Sequence, residues 1–181
     1  MTVTVDHPAR FARLVIGIAL VATLAGCTST ESGPTLADTK GPTQLLRNDA
    51  ASRIPAEAVL TVGTKGDESL GCSLEDDPDG LFRKWHSSIV MEINSGSAAD
   101  IDTISADLSA GYTAEGWDEF LSEGSGSSTR TLQKKGSGAE LRIETTEDAD
   151  GDGLGATIAI DVFGQCVKTA GPDSDEVTKL G

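Results

Sequence analysis

The chain has 181 residues, with 29 acidic against 14 basic side chains and a formal net charge of −15. No basic stripe interrupts that excess, which excludes a nucleic-acid surface built on phosphate neutralisation. The stretch able to fold is also too short to build the two lobes of a periplasmic solute receptor.

The first element is a targeting segment, residues 1–26. Arg10 and Arg13 form a short basic region, partly offset by Asp6, and an apolar run "LVIGIALVATL" follows from Leu14 to Leu24. A membrane-spanning helix needs about 20 apolar residues, so this run suits the core of a signal peptide instead. It ends in Leu24-Ala25-Gly26-Cys27, which resembles the lipobox of bacterial lipoproteins. The resemblance implies cleavage before Cys27 and a thioether-linked diacylglycerol on its sulfur. Two acyl chains are enough for stable anchoring. Residues 1–26 carry two Arg and one Asp, so their loss leaves the remainder at −16. Anionic lipid would repel such a chain, and the lipid anchor on Cys27 must hold it to the membrane. The expected location is the outer face of the cytoplasmic membrane, in the cell envelope.

Residues 27–42, "CTSTESGPTLADTKGP", are rich in Ser, Thr, Gly and Pro without a hydrophobic period and read as a flexible tether. A single α+β domain is expected over 43–168, followed by a mobile tail over 169–181 that lacks periodicity. Within the domain, "PTQLLRNDAASRI" predicts a short helix starting at Pro42, with Leu45, Leu46, Ala50 and Ile54 near one face. "AEAVLTVG" predicts a strand, and "DDPDG" at 76–80 an acidic turn. In "LFRKWHSSIVMEIN", Trp85, Ser87, Ile89, Met91 and Ile93 share one strand face, with Lys84, His86, Ser88 and Glu92 opposite.

"SAADIDTISADLSAG" predicts a helix capped by Ser97, with a stripe of Ala98, Ile101, Ile104 and Leu108 and a stop at Gly111. "STRTLQKK" and "AELRIETT", joined by "GSG", predict a hairpin. "ATIAIDVFGQC" places Ile158, Ile160, Val162 and Cys166 in one parity, predicting a last strand whose cysteine faces the core. The expected architecture is a single antiparallel β-sheet of about four to five strands with one or two helices packed on one face. With Cys27 taken by lipid, Cys72 and Cys166 remain as an even pair in an oxidising compartment. A disulfide is expected between them, two buried thiols being the alternative.

The lipobox, Ser/Thr-rich tether, mid-chain helix, glycine-rich meander and late cysteine together resemble small lipoproteins of high-GC Gram-positive bacteria, such as mycobacterial Lpp-type lipoproteins. Beyond the lipobox the likeness is one of layout, and it carries no catalytic residue over.

Three features bear on chemistry. In "EDADGDGLGA", residues 147–156, Asp148, Asp150, Asp152 and Gly153 match the opening of an EF-hand-like calcium loop. The twelfth position is Ala159, which cannot ligate, and Asp161 falls two places late. An acidic hairpin turn is the simpler reading and weak Ca²⁺ binding the alternative, with no other cofactor expected. His86 faces Lys84, Ser88 and Glu92, but no G-x-S-x-G motif accompanies it. Trp117 in "AEGWDEF" is either an aromatic binding anchor or a core residue. The functional expectation is a membrane-anchored, non-enzymatic binding module for an envelope protein or small ligand, not for nucleic acid. The alternatives are a weak Ca²⁺-dependent surface module or a small hydrolase using His86.

Overall fold

The structure is a computed structural model that describes residues 33–72, 77, 79–94, 100–124, 127–147 and 155–180. In chain order the elements are α1 (Leu36–Ser52), β1 (Val59–Gly71), β2 (Phe82–Ile93), α2 (Ile101–Ala114), β3 (Trp117–Gly124), β4 (Ser127–Lys134), β5 (Glu140–Thr146), β6 (Ala156–Phe163), β7 (Val167–Lys168) and α3 (Asp175–Thr178). The strands form one antiparallel sheet in the order β1-β2-β6-β5-β4-β3, with β7 pairing the start of β2.

The topology joins two local units, the β1–β2 hairpin and the β3–β6 meander. Their seam is the β2–β6 pair, where Ile89 lies opposite Ile160 and Met91 opposite Ile158. Inward alternation on the two strands puts these side chains on one face, and cross-strand pairs of this kind hold the register. Ile89, Met91, Leu132, Leu141, Ile143, Ile158, Ile160 and Val162 are buried there with Ala50 and Ile54 near the end of α1 and Ile101, Ile104 and Leu108 of α2. Both helices therefore cover the same face, α1 over β2 and β6 and α2 over β3–β6.

The α+β class and the single sheet agree with the sequence, but the sheet is larger than four to five strands. β3 escapes a pattern-based reading because it is an edge strand on which only Trp117 is buried. Without two faces to satisfy, "WDEFLSEG" has no alternation to display. β7 has only two residues, too few to carry a period.

Local signals also resolve differently. α1 starts at Leu36, within the expected tether, behind a capping box in which Thr35 and Asp38 bond each other's backbone. Pro42 thus lies inside the helix. Leu45, expected on the buried face, is 70% exposed. α2 is capped by Asp100, whose carboxylate accepts from Thr103 N at 2.7 Å, while Ser97 lies outside the described residues. The helix runs past Gly111 and stops before Gly116, whose φ of +86° supplies the left-handed turn into β3.

Residues 169–180 pack back on the domain instead of trailing from it. Thr169 N donates to Leu81 O at 2.8 Å, and Glu176 accepts from Leu36 N at 3.1 Å. Lys40 donates to the Leu180 carbonyl. Val177 and Leu180 lie against a second small core of Leu36, Trp85 and Val167. Two apolar anchors spaced three apart are enough to seat this segment but too few to announce themselves as a periodic pattern.

Candidate functional site

The groove beside α1 is built by three elements that meet at one end of the sheet. α1 buries Leu36, Thr39, Thr43, Arg47 and Ala50 against the strands. Thr43 Oγ1 donates to Thr39 O at 2.6 Å and Thr39 Oγ1 to Leu36 O at 2.8 Å, so these hydroxyls are satisfied within the helix. Their short side chains let α1 approach the sheet end closely. Gly164 suits that contact, because a Cβ there would crowd Thr43 Oγ1 at 3.0 Å and Thr39 Cβ at 3.2 Å.

Close approach along the stripe leaves the flank of the helix unfilled. A groove of about 320 Å³ opens there, walled by Pro42 and Leu46 of α1, by Trp117, and by Val162 and Phe163 of β6. Ala139 from the β4–β5 turn closes one side, and Asp38, Lys134 and Gln165 stand among its polar residues. Apolar walls with a few polar groups at the rim are the usual make-up of a small-ligand site, and the volume lies near the lower end of the roughly 300–1,000 Å³ range.

The structure places Trp117 in the core. It is 7% exposed and packs edge-on to Tyr112, with ring centroids 5.5 Å apart, so it belongs to the core. Its remaining surface lines the groove, with Lys134 Nζ 5.8 Å from its ring centre.

Arg47 anchors the other flank of α1. Its guanidinium donates to Asp67 at 2.9 Å and to Gly66 O at 3.3 Å. Asp67 also accepts from Ser87 Oγ and from Trp85 Nε1 at 3.3 Å. Burial alone would raise the Asp67 carboxyl, but donors from Ser87, Arg47, Gln44 and Trp85 outweigh it and hold the group at about 2. This cluster fastens α1 to β1 and β2, and none of its residues lines the groove.

His86 lies on the uncovered face of the sheet. Its Nε2 is 2.8 Å from Asp161 and its Nδ1 is 3.3 Å from Glu68, and the ring stacks on Phe163 at 4.7 Å. A general base needs a free nitrogen facing the hydroxyl it activates. Both nitrogens here face carboxylates, Asp161 and Glu68, in place of a serine hydroxyl. Asp161, considered as a late ligand for the acidic loop, is engaged at His86 instead.

Cys72 and Cys166 form a disulfide with Cα atoms 6.2 Å apart. Cys166 does not continue the inward parity of β6, because the strand ends at Phe163. It is exposed and lies in the break between β6 and β7, so the bridge is not buried. Cys27 and the loop aspartates Asp148, Asp150 and Asp152 lie outside the described residues. Among the described residues no cluster of His, Cys, Asp and Glu is placed to hold a metal, and no helix is long and apolar enough to cross a membrane.

The groove was not legible from the sequence beyond Trp117. Its walls come from residues 42–46, 117 and 162–163, and no local pattern links them. The pairing of His86 with Asp161, 75 positions apart, had no local signal either. No protein-family model matches this chain, and no curated protein or solved structure matches it.

Proposed function

We propose that this chain is an exported lipoprotein, anchored through lipid on Cys27 at the outer face of the cytoplasmic membrane, whose domain is a non-enzymatic module for a small apolar ligand. The observation that carries the binding reading is the groove of about 320 Å³ beside α1, with Trp117 in its wall. The Cys72–Cys166 bridge supports the placement, since disulfides persist in oxidising compartments outside the cytoplasm. The lipobox supports the anchor.

Titration of the full chain with 1-octanol, followed by tryptophan fluorescence, tests the site. We expect a saturable change that disappears in Trp117→Phe, where Trp85 is the remaining reporter, and weakens strongly in Leu46→Glu. A wild-type signal that does not change would sink the groove as a binding site. Incorporation of labelled palmitate, abolished by Cys27→Ala, tests the anchor. Unchanged labelling and membrane retention in that variant would refute it.

A further inference from the structure

We infer that the ligand of this groove is a small monocarboxylate with an apolar body, its head held by Lys134 and Gln165. The inference rests on reading the groove as a binding site and adds the charge of the occupant.

The argument starts from how the other cations are used. Arg47, Arg53, Arg130, Arg142 and Lys179 each meet a carboxylate. Arg83 bonds Ser69, Lys40 a carbonyl and Lys65 the Asn48 side chain. Lys84, Lys135 and Lys168 have no such partner among the described residues, but none of them lines the groove. Lys134, the last residue of β4, sits instead at the rim of an apolar groove. Among the described residues its ammonium has no hydrogen-bond or ion-pair partner and only the Trp117 ring beneath it.

The acid on the same rim does not answer it. Asp38 is committed to the cap of α1, accepting from Thr35 N at 2.9 Å and Thr35 Oγ1 at 2.8 Å. Gln165, just past β6, also lines the groove, and its amide has no partner among the described residues. An ammonium and an amide donor, both without a partner among the described residues, thus line the same largely apolar groove. A carboxylate fits those donors through charge-assisted hydrogen bonds, while its hydrocarbon lies against Leu46, Trp117 and Val162. The chain as a whole, at −15, repels anions, so selective uptake of one would report a local site rather than the general field.

Octanoate and its neutral counterpart 1-octanol separate the two levels of the inference. Both are titrated into the full chain, below the micellar range of octanoate, by calorimetry and tryptophan fluorescence. Octanoate should bind about tenfold more tightly than octanol, the scale of one charge-assisted contact. That preference of octanoate over octanol should vanish in Lys134→Gln and survive in the neighbouring Lys135→Gln. Equal affinity for the two probes, or an octanoate affinity indifferent to Lys134→Gln, overturns the carboxylate and leaves the apolar site standing. Binding of neither probe removes the site and the inference together.

Discussion

α1 and α2 lie on the same face of the same sheet, yet opposite chemistries hold them down. α2 buries Ile101, Ile104, Leu108 and Tyr112, a continuous apolar stripe softened only by Ser105 and Ser109. α1 buries two threonines, an arginine, an alanine and a leucine. α2 is therefore fixed by shape complementarity of bulky side chains, α1 by close approach and by one charged cluster. Bulky stripes fill the space between helix and sheet, whereas short ones leave room at the flank. The groove opens beside α1 because its side chains are small there, and the charge cluster stabilises the helix that the small side chains hold only weakly.

This comparison is broken most directly at Arg47. Arg47→Ala leaves the Asp67 carboxylate beneath α1 without its cation, and the expected loss is about 4 kcal/mol by urea unfolding. The double replacement Arg47→Met with Asp67→Leu removes both charges and should recover most of that stability. A single variant costing less than about 1 kcal/mol, a value typical of surface pairs, would mean that α1 is held by its threonines and not by the cluster. Under α2 the matching substitution is Ile104→Ala, which leaves a cavity and should cost about 3 kcal/mol. No second replacement of opposite charge should rescue it. If a polar partner did so, α2 would share the chemistry of α1 and the contrast would fail.

The same contrast explains what could be read in advance. The stripe of α2, the alternation of β2 and β5 and the glycine-linked β4–β5 hairpin are expressed in local spacing, and the disulfide in the cysteine count. α1 was legible only in its second half, because Thr39, Thr43 and Arg47 carry no apolar period although they are as buried as isoleucine. Burial of Arg47 depends on Asp67, 20 positions away on β1, and no local rule announces such a partner. β3 failed for the reverse reason, as an edge strand that needs no buried alternation. Of the candidate site, Trp117 stood out by residue type alone, while Lys134 and Gln165 acquire meaning only because β4 and β6 end at the same end of the sheet, on either side of the start of β5.

The smallest expected effect is the most selective. The Asp67 carboxyl is held at about 2 in the folded chain, against an ordinary value of 3.8. Its contribution is complete above the ordinary value and is lost as pH falls through about 2, because the unfolded chain takes up the proton first. That depression corresponds to about 2 kcal/mol, an upper figure because the Asp67 side chain is 27% exposed. Glu119 works in the same direction on the α2 side: burial raises its carboxyl, but Arg130 at 2.6 Å outweighs this and holds it low. Asp38 and Asp100 are lowered by their capping bonds and add to the same acid limb. Unfolding free energy measured from pH 6 down to pH 2 should therefore fall in the wild type. In Asp67→Asn the fall should be shallower by up to about 2 kcal/mol, with the residual slope belonging to Glu119 and the two caps. Glu119→Gln should remove a smaller share, since Arg130 gives that carboxylate one main donor where Asp67 has four. A wild-type slope retained in Asp67→Asn would show that the cluster under α1 is not ionised as its geometry implies, and that the two helices are held alike.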